Sequence, residues 1–291
     1  MQSVKRSWNT RRNRPSPAVI GRFTDSVKVV AANAHQHGFD LDMTQLRRDQ
    51  QAERLREFGI GVWTLPNDIL AISDDEVSQL RSFARDIRNG VAYPKNAQFR
   101  LQSSGDTYRS MEQSTIPVVS LRHGSDKGMV DIFHADRLFE LGRRVREGIL
   151  SSGAIEATEM AAGQRLIPSN LNFYLNESVS MTRGFHVDSF GERQFKIFLY
   201  LTDVESLEFG PYCYAPTSHA LEGLEAVNRP CTAALGLPGT DIVLLPQNLP
   251  VPIFGRRGTI IASNQSGAHR GYPQAQGAFR AIAALNCRVK A

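Results

Sequence analysis

Only three cysteines, Cys213, Cys231 and Cys287, occur in 291 residues, and no two of them form a C-x-x-C pair. They are too few and too scattered for a disulfide framework, so reduced thiols in a cytoplasmic protein are expected. No apolar run approaches the ~20 residues that span a bilayer, and no membrane segment is expected. G-x-G-x-x-G, G-x-x-x-x-G-K-[ST] and G-x-S-x-G are all missing, which removes the local signals of dinucleotide, P-loop and hydrolase sites. Residues 1–17 contain no acid, several Lys and Arg, and a Pro-Ser-Pro end. Such a stretch cannot bury enough apolar surface to offset ordering, so a disordered basic tail is expected.

That tail has the Arg- and Ser-rich composition of an organelle transit peptide, and Arg11-Arg12 has the look of a twin-arginine signal. No apolar segment follows it, which argues against export. The chain as a whole is ordinary for a soluble protein, with 41% apolar and 22% charged residues, and is long enough to bury a substantial core. Much of the +5 net charge lies at the N-terminus, so charge alone does not mark a nucleic-acid binder.

Periodicity divides the chain. Leu46, Leu55 and Phe58 share a face of a helix expected over 43–58, followed by a strand over 59–65. Ser73-Asp-Asp-Glu76 is a capping box opening a helix that Gly90 closes. Residues 91–127 are polar and aperiodic, with Tyr93, Arg100, Tyr108, Arg109, Met111, Arg122 and His123 scattered through them; loops covering a substrate site are one reading and a set of short elements the other. A helix is expected over 136–150. Beyond Gly163 the period falls to two: Asn170, Asn172, Tyr174 and Asn176 lie on one strand face, Leu171, Phe173 and Leu175 on the other. Further strands are expected over 185–188, 195–202, 212–215, 241–245, 259–263 and 279–289. Many strands after a helical leader imply a mainly β sandwich or barrel with flanking helices. We expect one domain over 18–291, with a leader over 18–160 and a barrel core over 161–291.

Chemistry concentrates in Arg183-Gly-Phe-His186-Val-Asp188 and, far downstream, Ser266-Gly-Ala-His269-Arg-Gly271. Residues i and i+2 share a face only in extended chain, so His186 and Asp188 can reach one ion only there. The bland alternative is a rim histidine hydrogen-bonded to its neighbour. H-x-D also occurs at His134-Ala-Asp136, where the carboxylate sits at a helix start and is read as a cap. His219, His35 and His37 are read as structural or surface residues, and Arg270 as facing away from the metal.

The run from His186 to Val204, then Gly210-Pro211, Tyr214-Ala-Pro-Thr-Ser-His219, Gly258-Thr-Ile-Ile261, His269-Arg-Gly271 and Arg280, resembles the phytanoyl-CoA dioxygenase-like iron(II)/2-oxoglutarate oxygenases over roughly residues 160–291. The resemblance implies a double-stranded β-helix, a jelly-roll, cupin-like barrel. It implies iron(II) held by His186, Asp188 and His269, with Arg280, eleven residues after His269, clamping the distal carboxylate of 2-oxoglutarate. It implies O2 as co-substrate and hydroxylation with release of succinate and CO2. Asp188 favours hydroxylation over halogenation, since related halogenases carry a small residue there. Asn172, Tyr174 and Lys196 are further candidates for the co-substrate, an ordinary structural hydrogen bond being the equal alternative for each. The substrate expected is a small or carrier-linked molecule, and the arginines of 91–127 are compatible with an anionic one. A nucleic-acid-modifying oxygenase is the weaker reading, because such enzymes tend to place a second Arg six residues after the clamp, where this chain has Asn286. A non-catalytic ligand-binding barrel is a third.

Overall fold

Side chains alternating with a period of two in the C-terminal half build two facing sheets. The computed structural model describes residues 15–37, 39–91, 93–102, 110–190, 194–245 and 249–289. The larger sheet has eight strands in the order β1 (Ile60–Thr64), β9 (Thr259–Asn264), β6 (Gln194–Tyr200), β11 (Phe279–Val289), β5 (Leu166–Glu177), β4 (Val130–Phe133), β3 (Val118–Arg122) and β2 (Gln98–Gln102). Its pairs are antiparallel except β2 with β3. A second sheet holds β10 (His269–Gly271), β7 (Tyr212–Tyr214) and β8 (Val251–Ile253). The fold is the double-stranded β-helix, with helices along the outer face of the larger sheet.

Alternation decides which side chains face which layer. Leu171, Phe173 and Leu175 of β5, Ile197 and Leu199 of β6, and Ala281, Ala283 and Leu285 of β11 pack outward against Leu55 of α2 (Arg48–Phe58), Leu80, Ala84 and Ile87 of α3 (Asp74–Asn89), and Val145 and Ile149 of the later helix Glu140–Ser151. The opposite faces carry Tyr174, Phe198, Tyr200 and Ile282, which meet Tyr212 and Tyr214 from the smaller sheet. Tyr174, Asn176, Lys196, Phe198, Tyr212, Arg280, Ile282 and Asn286 face the space between the sheets, where the cavity lies.

Several expectations need revision. The helix expected from Met43 begins at Arg48, and Met43 is instead fully buried in the core. The helix expected over 136–150 is broken by extended backbone at Phe139, giving Ala135–Leu138 and Glu140–Ser151. Asp136 does not cap it: His134 occupies the cap in the left-handed region without a side-chain bond, and Asp136 pairs with Arg146 at 3.4 Å. Residues 91–127 are not all loop, because β2 and β3 extend the large sheet; Tyr108 and Arg109 lie outside the described residues, as do residues 1–14 of the expected tail. Pro17 opens a helix to His37, and another runs over Leu224–Leu235 with Pro230 inside it. Residues 185–188 and 241–245 are not strands; each joins the ladder at one residue, His186 or Asp241. The leader supplies β1 to β4, so it shares one sheet and one core with the barrel. Among the described residues no helix is long and apolar enough to cross a membrane.

Candidate metal centre

The backbone brings the two histidines together before any ion does. The His186 amide donates to the His269 carbonyl at 3.0 Å and the His269 amide to the His186 carbonyl at 2.9 Å. Such a reciprocal pair fixes residues directly opposite each other in an antiparallel ladder. Two residues on, the Asp188 amide donates to the Gln265 carbonyl at 3.0 Å. Val187, fully buried, points the other way into a small apolar cluster. His186 and Asp188 therefore project to one side although their segment is too short to be a strand.

Their ligand atoms form a tight group. Those of His186, Asp188 and His269 all lie within 4.8 Å of one another, with Asp188 Oδ1 3.7 Å from His269 Nε2 and 4.0 Å from His186 Nε2. The His186 Nδ1–H donates to the Gly184 carbonyl at 3.0 Å and the His269 Nδ1–H to the Gly267 carbonyl at 2.9 Å. Since a carbonyl only accepts, each ring carries a proton on Nδ1 and turns Nε2 toward Asp188, the orientation that metal-ligating imidazoles adopt. Gly267 is needed for this approach: a Cβ there would collide with the Tyr214 hydroxyl.

Electrostatics keeps the group ready. Burial, followed by the nearby His269 and Arg183, pushes the His186 pKa well below its usual value, so the ring is neutral near pH 7. Burial alone would raise the Asp188 carboxyl, but Lys196 and the two imidazoles outweigh it and hold it well below the usual carboxylate range. Lys196 Nζ donates to Asp188 Oδ2 at 2.7 Å, leaving Oδ1 to the histidines. Two imidazoles and one carboxylate oxygen on one side of an ion leave further positions open for exogenous ligands, the pattern of non-haem ferrous sites.

The trio opens on a cavity of about 870 Å³. Arg280, opposite Asn176 across the β11–β5 ladder, lines it while 6% exposed. Its guanidinium donates to the Gly210 carbonyl, its Nε has no partner, and no carboxylate pairs with it among the described residues. Gly210 suits its place because φ is +70° there, a conformation that side chains disfavour. Asn176 Oδ1 and Gln265 Oε1, also in the cavity wall, are likewise buried without partners. Three polar groups orphaned in one wall are what a site shaped for a polar ligand would show.

The remaining expected residues divide. Tyr174 lines the cavity. Asn172 does not: it is fully buried, accepting from Asn170 at 2.7 Å and donating to the Tyr174 hydroxyl at 3.5 Å, so it stands behind the wall. Lys196 reaches the cavity but is engaged by Asp188. His134 and Asp136 join no metal-binding group among the described residues, and His219 Nε2 bonds to the Arg56 carbonyl at 3.1 Å. The side chains of His35 and His37 lie outside the described residues. Arg270 leaves the metal to its neighbours but lines the cavity rim. Sequence reasoning placed Asn176 on the polar strand face without giving it a role in the site, and gave none to Gln265 or Tyr212. Asn176 could have been given one, since it continues the Asn170–Tyr174 face; Gln265 could not, because only the folded chain puts its carbonyl on the Asp188 amide.

No protein-family model matches the chain, and no curated protein matches its sequence. Solved structures do. The non-heme alpha ketoglutarate dependent epimerase SnoN from nogalamycin biosynthesis superposes with a TM-score of 0.52 at 18% identity, covering 83% of this chain and 83% of its own. The likeness fixes the fold. AviO1 from Streptomyces viridochromogenes Tue57 gives 0.48 at 14% identity over 85% of this chain and 97% of its own. HygX from Streptomyces hygroscopicus, solved with nickel and 2-oxoglutarate, gives 0.47 at 13% over 83% and 87%.

Proposed function

We propose that the chain is an iron(II)- and 2-oxoglutarate-dependent oxygenase of the phytanoyl-CoA dioxygenase-like kind, acting on a small or carrier-linked substrate. The supporting observation is the sharing of one cavity by His186, Asp188 and His269 with a buried, unpaired Arg280. With Asp188 Oδ1 3.7 and 4.0 Å from the two Nε2 atoms and all three ligand atoms within 4.8 Å of one another, this trio would hold one ion after a small inward closure. Iron with 2-oxoglutarate and O2, when bound, supplies the oxidising power and leaves succinate and CO2. SnoN is alpha ketoglutarate dependent; for this chain that co-substrate is part of the proposal.

The chain's own residues bind and orient. His186 and His269 present lone pairs fixed by the Gly184 and Gly267 carbonyls. Asp188 offers Oδ1 while Lys196 holds Oδ2, so the carboxylate binds through one oxygen and positions remain for exogenous ligands. Arg280 offers a fork to the distal carboxylate of 2-oxoglutarate, for which a guanidinium is matched bidentately. Phe198, Ile282 and Tyr212 wall the space between. SnoN is named an epimerase; for this chain hydroxylation is the outcome we propose.

Iron(II) and 2-oxoglutarate added anaerobically should produce a weak visible charge-transfer band. His186→Ala should remove it and weaken metal binding beyond the 10–100-fold typical of a lost outer-shell partner. A wild-type protein that binds iron and 2-oxoglutarate without any band, or a variant that keeps it, would sink this reading.

A further inference from the structure

The cavity contains more cations than its own carboxylates neutralise. Arg122 is answered by Asp131 at 2.6 Å and Asp126 at 3.2 Å, Arg183 by Asp241, and Lys196 by Asp188, while Glu112, also in the wall, accepts from Asn286 at 3.0 Å and acts on Lys196 through space. Arg280 is reserved for the co-substrate under the function proposed above. Arg288 also lines the cavity but stands exposed at the far end of β11, roughly 26 Å along the strand from Arg280. Arg270 remains, next in sequence to His269 and half-buried at the rim.

Neutral groups alone hold it. Nη2 donates to the Thr182 hydroxyl at 2.6 Å, Nε donates to the Gly271 carbonyl at 3.2 Å, and the guanidinium lies over the Phe185 ring at 5.6 Å. Nη1 makes no hydrogen bond and no acid pairs with it among the described residues. Its side chain leaves β10 on the face opposite His269, whereas Arg280 approaches the strand on the Gly271 side, 3.5 Å from where a Cβ would stand. A guanidinium with its rotamer fixed and its charge uncompensated is pre-organised for an anion.

We propose that Arg270, with Thr182 beside it, anchors an anionic group on the substrate, so that the substrate is a small molecule carrying a carboxylate or a phosphate-like group. This rests on the oxygenase reading for the word substrate, but the anion site is testable without it.

Acetate and methylphosphonate, with methanol as the uncharged control, would be titrated calorimetrically into the anaerobic iron(II)–2-oxoglutarate protein in chloride-poor buffer. One of the two anions should bind once per chain and at least tenfold more weakly to Arg270→Gln, with Arg270→Lys between; which anion binds separates the two chemistries. Equal binding to wild type and Arg270→Gln, no anion binding to wild type, or methanol binding as well as the anions overturns the assignment. Should Arg270→Gln not fold, phenylglyoxal modification of wild-type Arg270, read by mass spectrometry, replaces it: the anion must slow that modification, and an unchanged rate rejects the site. A missing charge-transfer band in the wild type removes the oxygenase reading alone, since the same titrations on the metal-free protein still decide Arg270.

Discussion

Arg280 is buried with one hydrogen bond, to the Gly210 carbonyl, and an Nε that meets no acceptor. Burial lowers its pKa, against the opposing pull of Tyr200 and Asp126. A charge taken out of water without a partner destabilises the fold, and a carboxylate arriving from solution would relieve that cost. Arg280→Met should therefore raise the unfolding free energy of the ligand-free protein by about 1–3 kcal/mol. The same change should abolish the rise in melting temperature that 2-oxoglutarate causes in the metal-loaded wild type. Thermal unfolding with and without 2-oxoglutarate checks both; a variant less stable than wild type and still stabilised by 2-oxoglutarate would show that Arg280 is structural.

Among the elements, α3 is fastened to the end of β5 by one carboxylate. Arg81, Arg85 and Arg88 share a helix face and converge on Glu177, with contacts of 2.6, 2.6 and 2.5 Å; Arg81 also donates to the Gly277 carbonyl at 2.9 Å, tying in the turn before β11. Burial would raise the Glu177 pKa, but the arginines overcome it and bring it to about 2. Because the folded value is depressed, the stabilisation is complete above the unfolded value near 4.5 and is lost as pH falls from there toward about 2. Glu177→Gln should cost about 2 kcal/mol at pH 7, allowing for the exposure of Arg85, and flatten the pH dependence in that window. Urea unfolding between pH 2 and 7 measures it; an unchanged acid limb would contradict the staple.

What was legible in the sequence follows from where each signal resides. Ser73 and Glu76 cap α3 from both sides, and Gly90 ends it left-handed, because a cap is local chemistry. The alternation of 170–176 survives because one strand face meets the apolar layer under the helices and the other the polar cavity, whereas 279–289 reads as a nearly continuous apolar run closed by turn residues. Residues 185–188 carry no such pattern, since their partners are Asp241 and His269 and the pairing is one residue deep. Residues 98–102 and 118–122 escaped as strands because β2 is a polar edge and the pair is parallel, a pairing without a local turn. The metal trio and Arg280 could be named, whereas the displacement of Asn172 behind Tyr174 and the engagement of Lys196 depend on packing between distant strands.

Over the whole molecule, the leader closes on the site. The β3–β4 hairpin carries Asp126, whose amide donates to the Met181 carbonyl at 2.9 Å and whose carboxylate accepts from the Arg183 amide at 3.4 Å. Arg122 binds Asp126 and the fully buried Asp131, so the segment leading into His186 is clasped by chain from the other half of the sequence. The reciprocal amide bonds between His186 and His269 make this region an isotopic gauge of occupancy. An ion held by both rings would have to be released before those amides could open, so their deuterium uptake should slow as metal is added and quicken again with chelator, while amides of β5 and β11 keep their rates. Uptake at His186 and His269 that ignores the metal would mean that the ion binds elsewhere.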